Sequence, residues 1–385
     1  MLLDRFREAR ERSLSLVAPL ELEDFVPQAA VFASPPKWNL AHTSWFFEDI
    51  VLLPFLPAYR LFHPQYRLLF NSYYHAAGER LARDQRGLLS RPTVADVLAY
   101  RRHVDEHMQK LFAEVEVKGR LAGLIELGIN HEEQHQELFY TDIKYNFSVN
   151  PLFPAYVDAP LCEDSNSDSA GSIVCQPQLY RIGHEGDSFH FDNESKAHDV
   201  QLSGFRLHRQ LVTNGEFMEF IAAGGYDDFR HWHSDGWAWK ERTGLRQPLY
   251  WHKREGEWWQ FTLAGLRPLQ TQHILCHISY YEAAAYAAWR GLRLPTEFEW
   301  EAAAGEFTWG QRWEWTESAY LPYPGYRKAE GIVAEYNGKF MVNQKVLRGA
   351  SVATVPGHSR KTYRNFFHPG INYQFSGIRL AEDII

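Results

Sequence analysis

Asn130-His131-Glu132-Glu133-Gln134-His135-Gln136-Glu137 is the stretch around which the rest of the chain organises. It lies inside the run Leu121 to Tyr145, where Leu127, Leu138 and Ile143 mark an apolar face of helical rhythm. His131 and His135 are four residues apart, so on a helix they stand one turn apart on one face. Both imidazoles can then reach a single metal ion. The same string matches H-E-x-x-H, the zinc-peptidase pattern in which the glutamate is the general base. That reading needs a third ligand downstream, yet the next histidine after His135 is His184, beyond a polar stretch. A partner is available upstream, in Trp38-Asn39-Leu40-Ala41-His42-Thr43-Ser44-Trp45-Phe46-Phe47-Glu48, itself helix-like. One ligand from one helix and two from another make a three-histidine site with open positions for substrate. Imidazole suits iron, zinc, copper or nickel, so the spacing leaves the metal open.

Outward from this helix, residues 1–158 read as a helix bundle. Asp96 to Val104 has apolar residues at three- and four-residue spacing, and Thr93 with Asp96 three residues on is a helix-start pattern. Several such helices in about 150 residues imply a bundle. Residues 159–178 change character: Glu163 to Ser172 is small, polar and acidic and reads as a flexible linker or exposed loop. Residues 179–385 are rich in Gly, Trp and short aromatic or β-branched runs. Helices are expected at Asn214 to Ala223 and Tyr280 to Arg290, with short strands and long irregular loops elsewhere. No fixed-period repeat is present, which disfavours solenoids and propellers. The expected fold class is α+β, two domains, the second with low regular content.

Composition bounds the function. The 385 residues carry 40 Lys plus Arg against 48 Asp plus Glu, a net charge of −8. With a pI near 6.1 this is a poor nucleic-acid binder. Mean hydropathy is −0.42 and no run of about 18 apolar residues occurs, so no membrane span is expected. The charged start Met1-Leu2-Leu3-Asp4-Arg5-Phe6-Arg7 has no signal-peptide apolar core. Three cysteines, Cys162, Cys175 and Cys276, cannot make a disulfide framework, which points to a reducing, cytoplasmic setting. Aromatic residues reach 15%, enough for stacked cores or a pocket built from rings. The oligomeric state stays open.

The N-terminal strings Ala41 to Glu48, Leu69-Phe70-Asn71-Ser72-Tyr73-Tyr74, Arg83 to Pro92 and His131 to Leu138 together resemble a DinB-type four-helix bundle. The C-terminal strings Val212 to Phe217, Gly224-Gly225-Tyr226, Arg293 to Glu301, Trp313-Glu314-Trp315-Thr316 and Leu347 to Ser351 resemble the formylglycine-generating-enzyme fold, a C-type-lectin-like scaffold. No Cys follows Cys276, so the late cysteine pair that binds copper in that family is missing, and scaffold alone does not give its activity. The two domains in this order resemble the non-heme iron sulfoxide synthases of ergothioneine biosynthesis.

That resemblance implies an Fe(II)- and O2-dependent enzyme joining the sulfur of cysteine or γ-glutamylcysteine to the imidazole C2 of hercynine. Hercynine is the trimethylated betaine of histidine, and the product is a sulfoxide. It further implies that His42, His131 and His135 hold the iron. The Tyr73-Tyr74 pair would supply the catalytic phenol, steering toward C–S bond formation and away from thiol dioxygenation. Adjacent residues on a helix point about 100° apart, so only one of the two should reach the metal. Arg83 and Arg86 would clamp the carboxylate of the thiol substrate. Gln134 would meet the hercynine imidazole. Asn365 would contact the betaine, with Phe366 and Phe367 lining its pocket, where aromatic faces suit a quaternary ammonium. Relatives specialised for γ-glutamylcysteine carry a carboxylate where this chain has Phe367, which leans the thiol toward cysteine. Two other readings share these features. A selenoneine synthase joins a selenosugar to hercynine, and a non-catalytic ligand-binding module keeps the folds without chemistry.

Overall fold

The computed structural model describes residues 2–72, 81–159, 161, 164–327 and 337–384. Tyr73, Tyr74 and Cys162 lie outside the described residues. The chain forms two compact units. One is built on Met1–Val157 and also takes in Thr354–His358; the other is built on the chain from Asp158 onward.

The first unit is helical. Its elements are α1 (Leu2–Val17), α2 (Pro36–Phe46), the short α3 (Leu53–Phe55) and α4 (Tyr66–Phe70), then α5 (Val94–Glu114) and α6 (Gly119–Ser148). Pro35 and Pro36 start α2, with Pro36 in the first turn, where its missing N–H costs nothing. Thr93 caps α5 reciprocally with Asp96, the two backbone N–H groups each meeting the other's side chain at 2.9 and 3.1 Å. The end of α2 continues as a π-helical turn, Phe47–Leu52. This turn buries Glu48, which accepts hydrogen bonds from Tyr59 and Tyr100 hydroxyls, both at 2.6 Å. Where α6 meets the end of α2, Gly128 is required: a Cβ there would stand 2.6 Å from the Phe47 ring and 2.9 Å from Phe46. This close approach is three residues before His131.

Among the described residues the second unit holds four small sheets. Strands β1 (Ser172–Cys175), β4 (Phe205–Leu211) and β12 (Arg379–Asp383) form one, in that order and antiparallel. β2 (Gln178–Ile182) pairs with β3 (His198–Leu202), and β5 (Trp251–Arg254), β6 (Glu257–Thr262) and β7 (Gly265–Pro268) form a meander. The fourth has the order β10 (Asn365–Phe367), β9 (Lys345–Gly349), β8 (Trp313–Ala319) and β11 (Ser376–Gly377). Helices α7 (Asn214–Ala222), α8 (Ser234–Thr243), α9 (Tyr280–Trp289) and α10 (Glu297–Ala303) pack among the strands. Trp300 of α10 sits in a core with Phe205, Leu207, Phe307 and Ala381. Buried ion pairs hold the irregular loops: Arg364 grips both oxygens of Glu297 at 2.7 and 2.9 Å, and Arg379 grips Glu314 at 2.6 and 2.8 Å.

Two expectations change here. The polar stretch before residue 178 is built into the second unit instead of running free. Asp164 pairs with Arg312 at 2.6 Å, and the Asn166 amide brackets the backbone of Leu211. Asp168 accepts from the Thr308 N–H and hydroxyl, both at 2.7 Å, and Ser172–Cys175 is a strand. Short polar side chains that suit a linker equally suit side-chain-to-backbone hydrogen bonds, so composition alone did not separate the two. The domain also has helices at α8 and α10 besides the two expected. In α8 an interior glycine and two tryptophans hide the period; a Cβ on Gly236 would stand 2.8 Å from the Tyr281 ring.

Candidate metal centre

Helix α2 supplies His42 and helix α6 supplies His131 and His135. Their nearest ring nitrogens lie within 4.8 Å of one another, the one such histidine, cysteine and carboxylate grouping among the described residues. His42 Nε2 faces His131 Nε2 at 3.2 Å. Two imidazole nitrogens bound at right angles to one ion at roughly 2.1 Å stand about 3 Å apart, so this spacing fits a shared ion.

The outer nitrogens of His42 and His135 are held as metal-binding imidazoles require. His42 Nδ1 donates to the Phe70 carbonyl at 2.6 Å, and His135 Nδ1 donates to Asn39 Oδ1 at 3.0 Å. Each bond places the proton on Nδ1 and leaves Nε2 with a free lone pair. Burial drives the His42 pKa well below its usual value, with His131 adding to the effect. Burial likewise brings His131 down to about 4 and lowers His135, helped by His131 and His42. All three therefore stand neutral, the form that ligates a cation. Three neutral imidazoles grouped on one side, two of them with their tautomers fixed from behind, fit a divalent transition metal.

His42 is also sandwiched. The Trp38 ring lies 4.5 Å away at 15° and the Trp45 ring 5.5 Å away at 12°. Trp38 in turn carries the Arg86 guanidinium 3.4 Å above its face. Arg86 is 4% exposed, and its terminal nitrogens donate to Ser34 and Ser72 hydroxyls at 2.9 Å each. Arg83 begins the same 3-10 turn, Arg83–Leu88, and donates to the Phe32 carbonyl. Gln134 lies on α6 between the two ligands, partly exposed.

Glu132, the glutamate of the H-E-x-x-H string, does not serve this centre. It is fully buried and pairs with Arg10 and Arg101, while Ser13 donates to it at 2.6 Å. Burial would raise its carboxyl, but the two guanidiniums outweigh burial and bring it down to about 2. A carboxylate locked between two arginines is not a general base for a metal-bound water, so the peptidase reading of the string fails on geometry.

A second group forms in the other unit. Asn365, Phe366 and Phe367 are β10, each partly buried. Phe366 stacks on Tyr320 at 4.1 Å and 11° and on Phe340 at 5.7 Å and 29°. Phe367 meets Tyr373 edge-on at 6.2 Å. The Asn365 side-chain Oδ1 accepts from the Phe366 N–H at 2.9 Å.

The comparisons with known proteins follow this division. Residues 5–139 match the family model of the DinB superfamily, and residues 160–312 match that of the sulfatase-modifying factor enzyme 1-like domain. A hercynine oxygenase from Mycolicibacterium smegmatis is 30% identical, over 100% of this chain and 99% of its own. The chain belongs to the hercynine oxygenase family. Another hercynine oxygenase, from Mycobacterium tuberculosis, is 29% identical over 98% of this chain and 97% of its own. Ergothioneine biosynthesis protein 1 of Schizosaccharomyces pombe is 25% identical over 56% of this chain and 30% of its own. Among the described residues, no helix is long and apolar enough to cross a membrane.

Sequence reasoning singled out the three histidines that the structure brings together and missed what surrounds them. Trp38, Asn39 and Trp45 stand four before, three before and three after His42, so helical spacing alone places them beside its ring. Nothing in the sequence marks the Phe70 carbonyl, because the backbone carries no residue-type signal.

Proposed function

We propose that this hercynine oxygenase family member is an iron-dependent sulfoxide synthase that joins a cysteine-type thiol to hercynine in ergothioneine biosynthesis. The reading rests on the match along the whole chain, and the neutral three-histidine cluster supports it. The seleno-donor and binding-module readings are not favoured. The balance is C2–H plus S–H plus O2 giving C2–S(=O) plus one water. The C–S bond and the sulfoxide each remove two electrons, which together reduce one dioxygen.

A ferrous ion held by His42, His131 and His135 would supply the one-electron chemistry that dioxygen requires. The remaining work falls to the chain. Burial keeps the three imidazoles neutral, and the Nδ1 partners of His42 and His135 keep those two aimed. Arg83 and Arg86 bind the thiol substrate's carboxylate, Arg86 from a position preset by its stack on Trp38. Gln134 meets the hercynine ring, and Asn365 with the Phe366 and Phe367 rings receives the trimethylammonium betaine. Tyr73 or Tyr74 provides the proton. The absence of a carboxylate at Phe367 favours cysteine over γ-glutamylcysteine, and the setting is cytoplasmic.

The test is turnover. Protein purified anaerobically is given Fe(II), hercynine, cysteine and air, and hercynyl-cysteine sulfoxide is sought by mass spectrometry. Its appearance supports the proposal. Its absence with both cysteine and γ-glutamylcysteine removes the substrate assignment.

A further inference from the structure

Asn39 is an ambiguous partner for a metal-binding imidazole. A backbone carbonyl, such as that of Phe70 behind His42, can only accept a hydrogen bond. An amide can present either its oxygen or its nitrogen. If Asn39 turned over, its NH2 would face His135 Nδ1. That nitrogen would then become the acceptor, the proton would move to Nε2, and the lone pair that faces the ion would be lost.

Something must fix the amide, and the structure shows what does. Asn39 Nδ2 points at two oxygens, the Ser34 carbonyl at 3.4 Å and Asp142 Oδ2 at 3.5 Å. Asp142 is 4% exposed and is itself anchored by the Ser34 N–H at 3.0 Å. It stands seven residues after His135, two turns along the same face of α6. Asn39 reaches across from α2 between them, 6% exposed. An ionised carboxylate accepts only, so it holds the amide nitrogen toward itself and the oxygen toward His135.

We infer that Asp142 is a positioning residue for the metal centre, setting the Asn39 amide and through it the His135 tautomer. This rests on the reading of the three histidines as metal ligands. Asp142→Asn keeps the shape but can donate to Asn39 Oδ1, which invites the flip. The exchanged pair Asn39→Asp with Asp142→Asn places a carboxylate directly behind His135 and a donor behind the carboxylate, restoring the order.

The test titrates Co(II) into the apo protein at pH 8 and follows the visible d–d band, with no turnover required. Burial lifts the Asp142 carboxyl to about 7, against the pull of the Ser34 N–H, Arg83, Asn39 and Arg86, so pH 8 keeps it ionised. The expected result is a 10- to 100-fold weaker Co(II) affinity and an altered band in Asp142→Asn, the usual size for loss of an outer partner. The exchanged pair should recover to within a few-fold of wild type. Equal affinity and an unchanged band in Asp142→Asn overturn the inference. If that variant does not fold, the exchanged pair decides alone: affinity that stays more than 10-fold weak in the folded double variant overturns it. A wild-type chain that takes up no Co(II) overturns the ligand reading and this inference together.

Discussion

His42 and His131 face one another across helices α2 and α6 with their Nε2 atoms 3.2 Å apart. Both rings are buried and neutral, and their approach is enforced by helix packing, not by a charge pair. His131→Ala removes one of the three grouped imidazoles. We expect loss of stoichiometric iron after anaerobic reconstitution, with a native far-UV CD spectrum. Iron retained at one per chain in the variant would end the ligand assignment.

Gly128 governs how closely α6 approaches the end of α2. Gly128→Ala places a methyl group 2.6 Å from the Phe47 ring, so a helix or a ring must move. We expect a loss of roughly 1–3 kcal/mol in stability from overpacking. Metal affinity should fall too, because the shift acts three residues from His131. Denaturant unfolding of the apo protein and Co(II) titration measure the two effects separately.

Glu132 makes opposite predictions under the two readings of its motif. As a peptidase base, its replacement would abolish hydrolysis and spare the fold. As the buried partner of Arg10 and Arg101, its replacement by Gln leaves two guanidiniums short of charge. We expect a destabilisation on the order of 3–5 kcal/mol in urea unfolding. Wild-type protein should show no zinc-dependent peptide cleavage.

Tyr73 and Tyr74 are to be replaced singly by Phe. One variant should keep sulfoxide synthesis, and the other should divert thiol and dioxygen toward sulfinate. Product ratios by mass spectrometry identify the phenol; two unaffected variants would remove the pair from the reaction.

Glu282 gives a pH signature in the second unit. It accepts from the Ser279 N–H and hydroxyl at the start of α9 and from the Tyr226 hydroxyl. Burial nonetheless raises its carboxyl to about 7, from 4.5 in an open chain. Between those values the folded protein keeps a proton that the unfolded chain releases, so its contribution worsens as pH rises through the window. Glu282→Gln keeps one of the two acceptor oxygens and removes the titration. Relative to wild type it should gain on the order of 3 kcal/mol between pH 4.5 and pH 7. A difference that stays flat across this range would show that Glu282 titrates normally.

Much of the first unit could be read before any coordinates. The Thr93 and Asp96 cap, the α6 run and the four-residue histidine spacing are local patterns, and helices are local objects. The α5 and α6 helices accordingly stand where the periodicity put them. The second unit was legible in outline only. Its strands pair across long separations, as β1 and β12 do with β4, and no short window contains both partners. The polar stretch at Asp164 to Asp168 shows the cost: its meaning depends on Arg312, Leu211 and Thr308 far along the chain.

By itself the sequence determined which side chains could ligate a metal, because ligand type and helical spacing are properties of short segments. It could not determine the state of those ligands. That His42 and His131 come within 3.2 Å, that Glu132 turns away to two arginines, and that an amide and a carboxylate stand in line behind His135 are matters of tertiary packing. Each depends on a contact between residues 31 or more positions apart, so it exists only once the helices are assembled.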